Sequence, residues 1–405
     1  MMKMRFLLVF VLFAGLLTAC AGQAPATASP VPATELPAPA TVTPVPSPTS
    51  LPCIRQGDQD DINARLRNPG DAAVLCQGAL IELTGPVIFT AAGQQIYTEG
   101  YPDDDRRATL RIVSPDLATA VIMRDYDDAM LSHIIVDGNR PILGYKGGDA
   151  LIYAGGSSKG QVIRFLKIIE PRSWSALHLI QGHPSPAPPC ANALVENNEI
   201  GPAGQSNETW ADGISLACTN SIVRNNLIVD ATDGGIVIFG APGSVIEGNT
   251  IRAETRTLLG GINMVDYAPY NGNYAGTIVR NNIIDASGAV IRIGLGMGTR
   301  VWGCLPLPAE NDTLDGGTVT GNILRGAKMQ YGYAVDGVRN WTVLDNTSEA
   351  IHSGTPSVDC RGQVASPPAA FQYFPQRAQG NFQPEFVEAF VELALWAIRS
   401  PLPGE

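Results

Sequence analysis

Charge is scarce in this sequence, and lysine and histidine are scarcest. Charged residues make up 16% of the 405, and only four residues are histidine. Past the N-terminal segment, lysine occurs only at Lys146, Lys159, Lys167 and Lys328. The formal net charge is −11, or about −13 once Lys3 and Arg5 are removed with a leader. That charge repels a polyanion at long range, so no nucleic-acid partner is expected. It opposes an acidic polysaccharide only weakly, because a local basic cleft overrules net charge. No CxxC pair or His-rich run has metal-ligand spacing, so no metal site is assigned. The N-terminal apolar run, residues 6–17, has twelve residues and is too short to span a bilayer as a helix.

What is abundant is glycine (43) and proline (31), which signal many turns and one non-globular stretch. Lys3 and Arg5 followed by the short apolar run read as an export signal. It ends in Leu17-Thr18-Ala19-Cys20, which resembles the lipobox of bacterial lipoproteins. The resemblance implies acylation of Cys20 and an extracytoplasmic, membrane-anchored protein; an ordinary signal peptide is the alternative. Residues 21–52 are mostly Pro, Ala, Thr, Ser and Val, which cannot bury a core and form an extended tether. The folded domain is then 53–382, with a C-terminal cap over 383–405. In that cap, Glu385 to Arg399 read as a helix with Phe386, Phe390, Leu393 and Ala397 on one face. Six cysteines follow Cys20, and the expected pairing joins neighbours: Cys53–Cys76, Cys190–Cys218 and Cys304–Cys360.

Internal repetition is the strongest signal. VENNEI at 195–200, VRNNLI at 223–228, IEGNTI at 246–251, VRNNII at 279–284, VTGNIL at 319–324 and VLDNTS at 343–348 share one pattern. Each is a strand, an Asn or Gly turn, and a second strand. Asn198, Asn226, Asn249, Asn282, Asn322 and Asn346 are spaced 28, 23, 33, 40 and 24 residues apart, the length of a solenoid coil with insertions. Coils stack about 4.8 Å apart, so the turn Asn can adopt the left-handed conformation and its amide can bond the next coil as a ladder. A further strand column contains Leu177, Ile214, Ile236, Ile262 and Ile291 facing inward, with His178, Ser215, Val237, Asn263 and Arg292 outward.

These repeats resemble the right-handed parallel β-helix, or pectate-lyase-like, superfamily over roughly residues 110–350. The resemblance implies an all-β, single-stranded solenoid. It also implies a glycan-handling function, since relatives include polysaccharide lyases, polygalacturonase-type hydrolases and uronate epimerases, beside non-catalytic tailspikes and adhesins. The reaction is not fixed by it. Polygalacturonases carry Asn-Thr-Asp, Asp-Asp, Gly-His-Gly and Arg-Ile-Lys in successive coils. Here Ala211-Asp212-Gly213 and Asp233-Gly234-Gly235 are followed only by Arg292-Ile293-Gly294. A calcium-binding lyase signature is also missing, so calcium stays an open cofactor.

Glycan grooves need acids and flat rings. Asp212 and Asp233 open adjacent strands and are expected about 5 Å apart, close enough to raise one pKa for acid–base work. Turn-capping is the alternative for an Asp-Gly pair. Asp266, His178 and Arg292 complete the candidate catalytic set. Long insertions run from His183 to Cys190, Gly201 to Ala211, Tyr267 to Gly276 and Met297 to Gly316. They carry Trp210, Tyr267, Tyr270, Tyr274 and Trp302, candidate sugar platforms with Arg172, Trp174 and Asn263. The expected function is an extracytoplasmic, monomeric enzyme that cleaves a polysaccharide, a hydrolase ahead of a lyase. A non-catalytic surface glycan binder is the competing class.

Overall fold

The structure, a computed structural model, describes residues 52–181, 190–205, 209–266, 269–298, 301, 313–350, 371–373 and 378–386. Cys20, Tyr267, Trp302, the Cys304–Cys360 pairing, nearly all of the tether and most of the cap helix lie outside the described residues.

The chain winds as a right-handed parallel β-helix, and each coil gives one short strand to each of three parallel sheets. Among the described residues the sheets hold 12, 10 and 10 strands. The first runs from Ala72–Leu75 to Val338–Leu344 and Ala378–Phe382, the second from Leu80–Leu83 to Thr347–Ser348, and the third from Val87–Ile88 to Phe371–Tyr373. Strands of three residues suffice because each is paired on both edges. Val195, Val223, Ile246, Val279, Val319 and Val343 point inward and are buried. Stacked across successive coils, such residues form one continuous core.

The Asn ladder forms between the first two sheets. Asn198 Nδ2 donates to Asn226 Oδ1 (2.8 Å), Asn226 to Asn249 (2.9 Å), Asn249 to Asn282 (2.9 Å), Asn282 to Asn322 (2.9 Å) and Asn322 to Asn346 (2.8 Å). Each Oδ1 also accepts the backbone N–H of the Asn one coil back, as at Asn226 N to Asn249 Oδ1 (3.0 Å). One expectation needs correction. The left-handed residue is not the ladder Asn but the one before it: Asn197 (φ 56), Asn225 (φ 54), Gly248 (φ 63), Asn281 (φ 55), Gly321 (φ 65) and Asp345 (φ 58). The two demands are split because the residue that turns the chain aims its side chain outward, while the ladder amide must point in.

The described residues cover the start of the solenoid and show where the ladder ends. At the start, helix Gln59–Asn63, opened by an Asp58 capping box, packs Ile62 and Leu66 on the first coil. Cys53–Cys76 ties the chain preceding that helix to the first coil, and Cys190–Cys218 bridges neighbouring coils. At the end, Gln383 Oε1 accepts from Asn346 N and Nδ2 (both 3.1 Å) and so terminates the ladder. Residues 384–386 begin a helical turn, and buried Phe386 packs 5.1 Å from the Tyr333 ring.

In the third sheet, Leu177, Ile214, Ile236 and Ile262 align inward as expected. The next partner is Leu295, not Ile291, which stands opposite Leu258. Alternation with period two cannot detect a slip of four residues, since Ile291 and Leu295 face the same way.

Candidate active site on the third sheet

The outer face of the third sheet carries Tyr153, His178, Ser215, Val237, Asn263, Gly296 and Ala334 in one register row. A second row begins with Ser175 and Asp212. Asp212 is 4% exposed. Its Oδ2 accepts the Ser215 hydroxyl (2.7 Å) and its Oδ1 the Gly234 N–H (2.9 Å). Ser215 Oγ is itself 2.9 Å from Ser175 Oγ. Asp233 N donates to Ala211 O (3.1 Å), the ladder bond of a residue beside Asp212, whereas the pairing of Ile214 with Ile236 carries Gly234 to the same place, so the strand bulges and sets both Asp233 and Gly234 against Asp212. Its carboxylate is half-buried and makes no hydrogen bond to any described residue.

Burial pushes the Asp212 carboxyl well above the usual range, and the nearby Asp233 charge adds to it, against the Ser215 and Gly234 donors. Burial raises Asp233 as well. Asp230 shows what turn-capping looks like here. Burial pushes it up too, but the Thr255 hydroxyl and the Thr255, Arg256 and Glu254 amides outweigh that and hold it low. Asp212 thus caps a turn at a cost, whereas Asp233 caps nothing.

The sign for stability follows. An acid with a raised folded pKa contributes its full stability below the unfolded value near 3.8, and that contribution is lost as pH rises through the folded pKa. Asp212→Asn, which keeps the shape and sheds the charge, should therefore raise the thermal midpoint at pH 7–8 and leave it nearly unchanged at pH 4. Differential scanning calorimetry across that range checks it; an equal shift at both pH values would mean that the burial cost is misassigned.

His178 is 6% exposed, and burial lowers its pKa to about 4, so the ring is neutral near pH 7. Its Nδ1 has no partner. Half-buried Trp174 meets it edge-on at 4.7 Å. Trp210, 40% exposed, sits on the hairpin formed by Gly204–Gln205 and Thr209–Trp210, two residues before Asp212. Asn263 lies in the row of His178, three strands on.

Other expected site residues are placed elsewhere. Arg292 is exposed beside Leu259, in the row of Asp233 and two strands from it, about 10 Å, rather than next to Asn263. Arg172 is 2% exposed and donates to the carbonyls of Gly144, Ser114, Leu117 and Leu143, so it clamps loops and does not face a groove. Tyr274 is fully buried, with its hydroxyl on Ile238 O and Val265 O (both 2.7 Å). Tyr270, 9% exposed, bonds Ala217 O. These two rings anchor their own loop and are not sugar platforms, because a buried hydroxyl must find an acceptor. Asp266 accepts the Gly272 N–H (2.8 Å) and helps hold the same loop. Sequence reasoning missed Tyr145, 54% exposed over the Arg140 guanidinium (5.6 Å); Arg140 also donates to Thr209 O (2.8 Å). Nothing local in the Asp137-Gly138-Asn139-Arg140 segment shows that its arginine reaches another coil.

Among the described residues, no group of three or more His, Cys, Asp or Glu is placed to hold a metal ion, and no helix is long and apolar enough to cross a membrane.

Known proteins agree with this architecture. A family model for a right-handed beta helix region matches residues 185–304. An alginate lyase from Paenibacillus sp. str. FPU-7 superposes with TM-score 0.53 at 16% identity, covering 73% of this chain and 95% of that one. A mutant tailspike protein of E. coli bacteriophage HK620 superposes with TM-score 0.51 at 15% identity, covering 71% of this chain and 51%, about half, of that one. No curated protein matches by sequence. These likenesses show the fold, a right-handed parallel β-helix.

Proposed function

We propose that the outer face of the third sheet is a glycan site and that the protein is a polysaccharide-cleaving enzyme, a hydrolase in which Asp233 exchanges a proton with the glycosidic oxygen. One observation carries the reading: Asp233 is a half-buried carboxyl with a raised pKa and no hydrogen-bond partner among the described residues, on a face that also bears the unpartnered His178 Nδ1 and Asn263 Oδ1. An acid whose pKa approaches the working pH is the effective donor. Asp212, with both oxygens bonded, does not touch substrate, and burial is what keeps negative charge unfavourable at Asp233. The likeness to an alginate lyase and a tailspike supports the fold on which such a site is built and does not select the chemistry.

A second reading is a non-catalytic glycan-binding surface protein, favoured by the Asp212 carboxylate that caps Gly234 N–H. A lyase is the third. Incubation with a panel of neutral and acidic polysaccharides separates them. Reducing ends without absorbance near 235 nm (a wavelength expected for unsaturated uronates) support the hydrolase. Absorbance with reducing ends means a lyase, and binding with neither means the surface protein. The reading assigns no cofactor, and repeating the assay in EDTA tests calcium. Placement outside the cytoplasm is supported by the two disulfides, which persist in oxidising compartments. Acylation at Cys20 belongs to the same proposal; palmitate labelling should disappear in Cys20→Ser, and label retained in that variant refutes it. Sedimentation tests the monomer.

A further inference from the structure

Two exposed rings stand on the connections that lead from the second sheet to the third. Tyr145, 54% exposed, lies between strands Ile134–Asp137 and Ile152–Gly156. Trp210, 40% exposed, lies between strands Glu199–Ile200 and Asp212–Leu216. The two connections are two coils apart, about 10 Å along the stack. Between them runs a short connection, residues 170–174, and one guanidinium joins all three. Arg140, whose Cζ lies 5.6 Å from the Tyr145 ring centre, donates from Nη1 to Pro171 O (3.1 Å) and from Nη2 to Thr209 O (2.8 Å), next to Trp210.

The backbone on both sides of each ring is tied down. Beside Tyr145, Arg172 Nε donates to Gly144 O (3.0 Å) and Lys146 N to Arg172 O (2.9 Å). Beside Trp210, Thr209 O is held by Arg140 and Ala211 N donates to Thr232 Oγ1 (3.0 Å). Arg256 Nη1 holds the other strand of the Trp210 hairpin at Gly204 O (2.6 Å). Arg140 and Arg172 are each 2% exposed, and Arg140 leaves a buried Nε without a partner. Burying guanidinium groups is costly, and a ring left in water returns nothing to the fold for it. What the arrangement does provide is stiffness, so that these rings give up little freedom when something stacks on them.

Trp210 also stands two residues, about 7 Å of strand, before Asp212, at the edge of the candidate active site. Flat apolar faces held rigid beside a glycan site fit the C–H faces of sugar rings. We infer that Tyr145 and Trp210 form an accessory subsite for the same glycan, each taking one sugar unit by its apolar face, on the second-sheet side of the point where Asp233 acts. Ile142, 79% exposed on the Tyr145 connection, is the internal contrast. It has no flat face to offer a sugar, whereas a lipid surface would take it as readily as the rings.

This inference rests on the reading of the third-sheet face as a glycan site, and its test is separable from that of the hydrolase. The full-length protein is run in native gels containing xylan, galactomannan, alginate or polygalacturonate. Wild type should be retarded by at least one polymer, and Tyr145→Ala and Trp210→Ala should each weaken that association at least about tenfold. Tyr145→Phe and Trp210→Phe, which keep a ring, should stay within about threefold, and all four variants should keep the wild-type thermal midpoint. Wild type retarded by no polymer overturns the inference, as does unchanged affinity in either alanine variant. Pelleting of Cys20→Ser protein with phosphatidylglycerol vesicles, weakened alike by Trp210→Ala and Ile142→Ala, would mean that the rings face lipid and also overturns it. If no polymer is cleaved yet retardation is lost as expected, the hydrolase falls and this subsite stands. If Asp233→Asn abolishes cleavage while both alanine variants keep the wild-type KM and retardation, this subsite falls alone.

Discussion

Asp233→Asn should reduce release of reducing ends by about 10²–10⁴-fold with no change in the thermal midpoint beyond a few degrees. The side chains are nearly the same size, but the amide cannot give up a proton to a leaving oxygen. Because the Asp233 carboxylate bonds to no described residue, its replacement breaks nothing that holds the fold. The loss should appear equally in kcat and kcat/KM, since proton transfer stabilises only the transition state. Wild-type activity should also decline as pH rises through the raised Asp233 pKa, where the donor becomes ionised. Substitution at Asp230 makes the contrast: its carboxylate is fully engaged in holding residues 254–256, so Asp230→Asn should cost stability first. Asp233→Asn with wild-type turnover would remove the acid–base reading and leave the binder or another catalytic group.

The second large effect is structural. Asn249→Ala should destabilise the domain by about 3–5 kcal/mol, seen as a lower urea midpoint. Deleting the amide leaves Asn226 N and Nδ2 without their acceptor. It also leaves Val223 O without its donor and takes one bond from Asn282 Oδ1. All of these groups are buried, where an unsatisfied donor or acceptor costs about 1–3 kcal/mol. Exposed Asn273, whose side chain accepts the Ala275 N–H (3.0 Å) at the surface, is the control, and Asn273→Ala should change stability by no more than about 1 kcal/mol. In a solenoid the loss is felt by the neighbouring coils, so hydrogen exchange should quicken most at the ladder amides Asn226 and Asn282. Equal effects at both positions would show that the ladder adds nothing beyond what a surface asparagine gives.

The candidate site was only partly legible. His178 and Asn263 were marked by alternation, which assigns a face to each residue, and Asp212 and Asp233 by opening adjacent strands, and the structure does bring them together on the third sheet. Their roles were not marked. Asp212 and Asp233 look equivalent as Asp-Gly pairs, yet across the bulge both oxygens of the first are bonded and the second has no partner among the described residues. Arg172, Tyr270 and Tyr274 resemble ligand-binding groups on loops, yet they satisfy loop carbonyls. A loop that folds back on a coil leaves backbone acceptors to be met, and a long side chain with donors meets them. Which acceptors those are depends on contacts between coils, and no local pattern records them.

By itself the sequence determined the solenoid, the three-residue strands and the ladder. These repeat every coil, so each weak local preference is stated many times over and the copies agree. Tertiary structure alone decided the register of the longer third-sheet strands, which residue turns left-handed before each ladder Asn, and which polar groups on the outer face stay unpartnered. Those properties come from even-numbered slips, side-chain direction and the competition of distant donors for buried acceptors, none of which has a period in the sequence.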